Sequence, residues 1–117
     1  MRVLIAEDTD SVQYALRLAV EYLGHEVVGV VSNGQEALEE YQRTRPEVVL
    51  MDVRMPHMDG LTCTSLLAKQ DPDAKVVIVT GGRTSKNEAL EAGARAFVEK
   101  PFEIAELGQL IHSLAAA

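Results

Sequence analysis

Glu7 and Asp8 follow the apolar run 3–6, Asp52 follows 48–51, Thr80 follows 76–79, and Lys100 stands just beyond 96–98. Singly, each has an ordinary role. An acid caps a helix or sits solvated in a loop, a lysine makes a surface ion pair, and a threonine satisfies nearby backbone. Together they can do chemistry. Three carboxylates held close repel, and at neutral pH they must take up a proton or bind a cation. Oxygen-only donors, with no histidine or nearby cysteine, point to a hard ion. Mg2+ suits a site with few carboxylates that completes its shell with water and phosphate oxygens. A pocket so neutralised can accept an anionic phosphoryl group. Phosphoryl transfer asks mainly for positioning and charge neutralisation. Asp52 is then the nucleophile that forms an acyl phosphate, Lys100 pairs with one phosphoryl oxygen, and Thr80 donates its hydroxyl to another.

These residues can meet only if the elements bring them to one edge. The run 3–6 is continuously apolar, as in a strand buried on both faces. From Asp10, read as an N-cap, Val12, Ala15, Leu16, Ala19, Val20 and Leu23 recur at the three-and-four spacing of an amphipathic helix that Gly24 can close. The unit then repeats. Strand 27–31 leads through Asn33-Gly34 to a helix with Ala37, Leu38 and Tyr41 on one face, ended by Pro46. Strand 48–51 leads to a helix over 61–69, strand 76–79 to a helix over 85–92 stopped by Gly93, and strand 96–98 to a helix over 103–114. Five strands alternating with five helices predict an α/β fold: a parallel sheet sandwiched between helices and joined by right-handed crossovers. In such sheets ligands gather beyond the carboxyl ends of the strands, where all five polar residues lie.

A chain of 117 residues, 47% hydrophobic, suits one domain spanning 1–117. No apolar run approaches the roughly 20 residues that cross a bilayer. The amino terminus carries no secretory pattern, so a cytoplasmic location without membrane association is expected. The net charge of -7 opposes direct nucleic-acid binding. Cys63, the single cysteine, reads as a small hydrophobe in a reducing compartment. His25, His57 and His112 show no catalytic or metal-ligand spacing.

The motifs Ile5-Ala6-Glu7-Asp8, Leu50-Met51-Asp52-Val53-Arg54-Met55-Pro56 with Asp59-Gly60, Val79-Thr80, Ala92-Gly93-Ala94 and Lys100-Pro101-Phe102 are together specific. Over nearly its full length the chain resembles a receiver domain of two-component response regulators, of the chemotaxis-regulator type. The resemblance implies a flavodoxin-like, doubly wound (βα)5 sandwich with strand order 2-1-3-4-5. It implies phosphorylation of Asp52 by a histidine kinase or phosphotransfer protein. Mg2+ would be held by Asp8 and Asp52 directly, by Glu7 mostly through water, and by the backbone carbonyl of Arg54. The chemistry it implies is self-phosphorylation and autodephosphorylation, not that of a turnover enzyme. The Lys100–Pro101 peptide is expected to be cis. Thr80 and Phe97 would form the switch, with Phe97 equally readable as core packing, and the face made by the fourth helix, fifth strand and fifth helix would carry the output. Gln13 and Tyr14 fall on the first helix, where the family docks its phosphodonors.

Two features depart from the transcription-factor branch of that family. The last helix has no Lys or Arg, which argues against the paired-charge dimer, and no effector domain is present. The output is therefore an unknown partner protein or a missing effector domain. A haloacid-dehalogenase-type phosphotransferase wants a second acid two residues after its nucleophile, where this chain has Arg54. A flavodoxin-like cofactor binder wants a phosphate loop after the first strand, where Glu7-Asp8-Thr9-Asp10 would repel phosphate without a metal. A structural pseudo-receiver should have lost an acid or the lysine, and none is lost.

Overall fold

The computed structural model describes residues 1–82 and 84–115. Its elements alternate as β1 (Arg2–Ala6), α1 (Asp10–Tyr22), β2 (Glu26–Val31), α2 (Gly34–Thr44), β3 (Val48–Met51), α3 (Gly60–Gln70), β4 (Val76–Thr80), α4 (Lys86–Ala92), β5 (Ala96–Glu99) and α5 (Ile104–Ala115). All four strand pairings are parallel, and the order is β2-β1-β3-β4-β5. The doubly wound five-stranded sheet read from the sequence is therefore the observed one.

Side chains alternate across each strand, so a continuously apolar strand feeds two cores at once. Leu4, Ala6, Val49, Met51, Val76 and Ile78 face one way, packing with Ala37 and Tyr41 of α2, Cys63 and Leu67 of α3, and Ala89 of α4. Val3, Ile5, Val48, Leu50, Val77 and Val79 face the other way, against Leu16, Ala19 and Val20 of α1 and Leu107 and Ile111 of α5. Both faces of the inner strands β1, β3 and β4 are thus dry, and it is their ends that open to solvent chemistry.

Local signals set the helix limits. Asn33, Asp59 and Ser85 each accept a hydrogen bond from the backbone N–H three residues on, and Ser85 and Glu88 close a reciprocal capping box. Helix α1 ends where His25 and Gly24 donate back to the carbonyls of Val20 and Glu21, with Gly24 at φ 87. Pro46 disfavours helical backbone at Arg45, which closes α2 at φ 48. One expectation fails: Asp10 is not the N-cap of α1. Thr9 holds that position, with no side-chain cap bond, and Asp10 lies inside the first turn. The loop after β1 is short, and the Thr9 N–H is itself taken by the Glu7 carboxylate.

Tyr41 ties α2 to the end of α3. Its buried ring projects the hydroxyl 2.7 Å from Asp71 Oδ2. Burial, reinforced by this bond, pushes the phenol up to about 12, while the same hydroxyl, followed by the Asp73 N–H, holds the Asp71 carboxyl below its ordinary range. Tyr41→Phe should cost about 1 kcal/mol of stability at neutral pH, read from denaturant unfolding. The sign follows from linkage. A depressed carboxylate contributes above its unfolded pKa and loses that contribution as pH falls through its folded value. A raised phenol contributes below its unfolded value of 10 and loses that contribution as pH climbs toward about 12. The gap between wild type and Tyr41→Phe should therefore close at both extremes, and a pH-independent gap would refute the pairing.

Candidate functional site

Where three of the four strand pairings run out, one further backbone bond carries the ladder into the site. The Glu7 N–H donates to the Val31 carbonyl at 2.9 Å, the Asp52 N–H to the Ala6 carbonyl at 2.9 Å, and the Lys100 N–H to the Thr80 carbonyl at 3.0 Å. Glu7 and Asp52 therefore leave adjacent strands side by side, as do Thr80 and Lys100. The sheet edge, not loop chance, brings the four residues together.

Glu7 is fully buried. Its Oε2 accepts from the Thr9 N–H at 3.0 Å, and its Oε1 lies 2.5 Å from Lys100 Nζ. Lys100 Nζ is also 3.4 Å from Asp52 Oδ1, the oxygen that accepts from the Val53 N–H at 2.8 Å. Glu7, Asp8 and Asp52 each offer a carboxylate oxygen within 4.8 Å of the others, and of the three only Asp8 is exposed. Formally the cluster carries three negative charges and one ammonium, so two charges remain uncompensated, the number a divalent cation neutralises. Donor chemistry and charge both fit Mg2+. Thr80 is buried, and its Oγ1 accepts from the Gly82 N–H at 3.3 Å, which leaves its own hydrogen free to donate.

Asp8, Asp52, Arg54, Thr80, Gly82 and Lys100 line one open cleft of about 650 Å3. The Arg54 side chain lies across Gly82, its Nε 3.1 Å from where a Cβ on that glycine would stand. The Lys100–Pro101 peptide is cis. Phe97 pairs with Ile78 in the sheet and is half-buried against the α2–α4 core. Tyr14 is 66% exposed on α1. Cys63 is buried with Sγ toward the Gly34 carbonyl, and burial pushes its thiol up to about 12, so it is a packing group and no nucleophile.

Residues 3–112 match the family model for the response regulator receiver domain. The chain belongs to that family. Among related receiver proteins, the chemotaxis protein CheY of Thermotoga maritima is 34% identical over 116 residues, covering 97% of each chain. The response regulator GacA of Pseudomonas viridiflava is 38% identical over 114 residues, which is 95% of this chain and 53% of GacA. Among solved structures, the receiver domain of a sensor histidine kinase from Pseudomonas aeruginosa PAO1 superposes with a TM-score of 0.89 at 26% identity, covering 99% of this chain and 98% of that one. That receiver domain has a magnesium ion coordinated in its active-site cleft.

Sequence reasoning found the residues that line the cleft and missed how they are held. The Lys100–Glu7 pair spans 93 residues and has no local signal. Gly60 was legible only as part of a motif. A Cβ there would stand 1.8 Å from the Asp52 carbonyl oxygen, because the Gly60 N–H folds back onto the Val53 carbonyl at 2.8 Å. That obstacle is backbone and cannot rotate away. Gly108 differs, since its added methyl would meet only the tip of Leu23 at 2.8 Å. Gly60→Ala should lose about 3 kcal/mol by thermal denaturation, whereas Gly108→Ala should change stability by less than about 1 kcal/mol. Equal melting of the two variants would contradict this account of the glycine.

Proposed function

We propose that residues 1–117 form one receiver domain, acting in the cytoplasm, that accepts a phosphoryl group on Asp52. The donor is a histidine kinase or phosphotransfer protein. The observation that carries this reading is the meeting of Asp52 with Lys100 at 3.4 Å beside the Glu7 and Asp8 carboxylates.

In the reaction an Asp52 carboxylate oxygen attacks phosphorus, and the bond from phosphorus to the donor imidazole nitrogen breaks, leaving its electron pair on nitrogen. Asp8 and Asp52 would hold Mg2+ directly, Glu7 mostly through water, and Arg54 would add its backbone carbonyl. The ion, when bound, would supply positive charge where negative charge gathers on the phosphoryl oxygens. Lys100, already within reach of Asp52, pairs with one of those oxygens. Thr80 donates to another with the hydrogen that its bond to Gly82 leaves free. Movement of Thr80 toward the phosphate opens space beside β4 into which Phe97 turns. That change biases the α4–β5–α5 face toward its output, a partner protein or an effector domain. The domain is a phosphoacceptor, and its hydrolytic chemistry is confined to its own acyl phosphate.

Incubation with acetyl phosphate and Mg2+ should give a phosphoryl adduct, stable in acid and labile in base, detected by mass spectrometry. Asp52→Asn should carry none, and removing Mg2+ with a chelator should abolish it in the wild type. A full-strength adduct in either case would overturn the reading.

A further inference from the structure

The β1–β2 ladder ends at Ala6 and Val31, with one last bond from the Glu7 N–H. Beyond it the Glu7 carbonyl has no strand opposite, yet the Glu7–Asp8 peptide decides where the exposed Asp8 carboxylate points. Gln13 fills the gap. From the first turns of α1 its carboxamide Nε2 donates to the Glu7 carbonyl oxygen and stands 3.4 Å from Ser32 Oγ, the residue that follows β2. The side chain thus continues the ladder by one rung and links β1, α1 and the end of β2 at the acid pair. Glu7 is held at four points: its N–H by Val31, its carbonyl by Gln13, and its two carboxylate oxygens by Thr9 and Lys100. Among the described residues Asp8 has no such set of bonds of its own, and its placement depends on the peptide before it.

We propose that Gln13 is a positioning residue for cation binding: by fixing the Glu7 carbonyl it pre-orients Asp8, and so sets the affinity of the cleft for Mg2+. This rests on the Mg2+-dependent phosphoacceptor reading above. Groups that hold metal ligands in place are commonly worth ten- to a hundredfold in metal affinity. Gln13 acts through main chain, so its effect belongs at the lower end.

Gln13→Met keeps the length and helical preference of the side chain and removes the donor, and Gln13→Ala removes the side chain altogether. MgCl2 titrated into the full chain, followed by calorimetry and by the amide shifts of Asp8 and Asp52, should show affinity about tenfold weaker in both variants. With acetyl phosphate, the Mg2+ concentration giving half the maximal rate should rise about tenfold, while the rate at saturating Mg2+ falls by less than about threefold. A purely structural role for Gln13 would lower the melting temperature and leave the Mg2+ affinity unmoved, and that result overturns the proposal. So does wild-type affinity in both variants. Failure of the wild-type protein itself to bind Mg2+ or take phosphate would instead overturn the phosphoacceptor reading, so the two failures are distinct.

Discussion

Burying the Glu7 carboxylate is the constraint on which the site depends. A carboxylate without access to water is strongly unfavourable unless it is paired and its oxygens are hydrogen-bonded. Glu7 meets both conditions, through Lys100 on one oxygen and the Thr9 N–H on the other. The pairing fixes side-chain lengths. β1 and β5 are separated by β3 and β4, about 14 Å at the usual strand spacing. Only long side chains meet across that gap, a glutamate from one side and a lysine from the other. Asp52, on the strand between, needs only a short side chain to lie beside the lysine.

The same ion pair divides the labour among the acids. Lys100 takes up the charge of Glu7, so the interior carboxylate does not have to be the one that faces an incoming anion. Exposed Asp8 and buried Asp52 are left to line the open cleft together, where charge suits a hydrated divalent ion. The ammonium is shared, standing close to Glu7 and within 3.4 Å of Asp52. A group held between two anions can exchange one partner for another. The site is thus built around a lysine with alternative partners, in a frame otherwise fixed by backbone hydrogen bonds.

That frame is stiff because both faces of the sheet are covered. The strands supply one set of side chains to the α1–α5 side and the alternate set to the α2–α4 side. A shift of any strand along its axis would disturb two packed layers at once. The edge that carries the cleft inherits this rigidity, since Glu7, Asp8, Asp52, Thr80 and Lys100 each lie within a residue or two of the last ladder bond. Phe97 is placed differently, half-buried on the edge strand β5 against the α2–α4 core.

Periodicity and local chemistry made much of the molecule legible. The apolar runs marked the strands. Asn33 and Gly93 marked helix limits because capping and left-handed closure act over three or four residues. The acids at the strand ends were visible once the strands were. Asp10 was misassigned because the Val12 and Gln13 N–H groups that its side chain would cap already donate to the Thr9 carbonyl, which puts Asp10 inside the first turn. Sequence by itself determined which residues could carry charge, where each strand stopped to within one residue, and which chemistry their types allow, since these depend on neighbours in the chain. Tertiary structure alone decided that Lys100 pairs with Glu7 across the sheet, that Gly60 must lack a side chain because the Asp52 carbonyl stands against it, and that Gln13 extends the strand pairing beyond Ala6. Those are contacts between residues distant in the chain or turned toward one another by a loop, and they exist only after the two cores have set the strands in register.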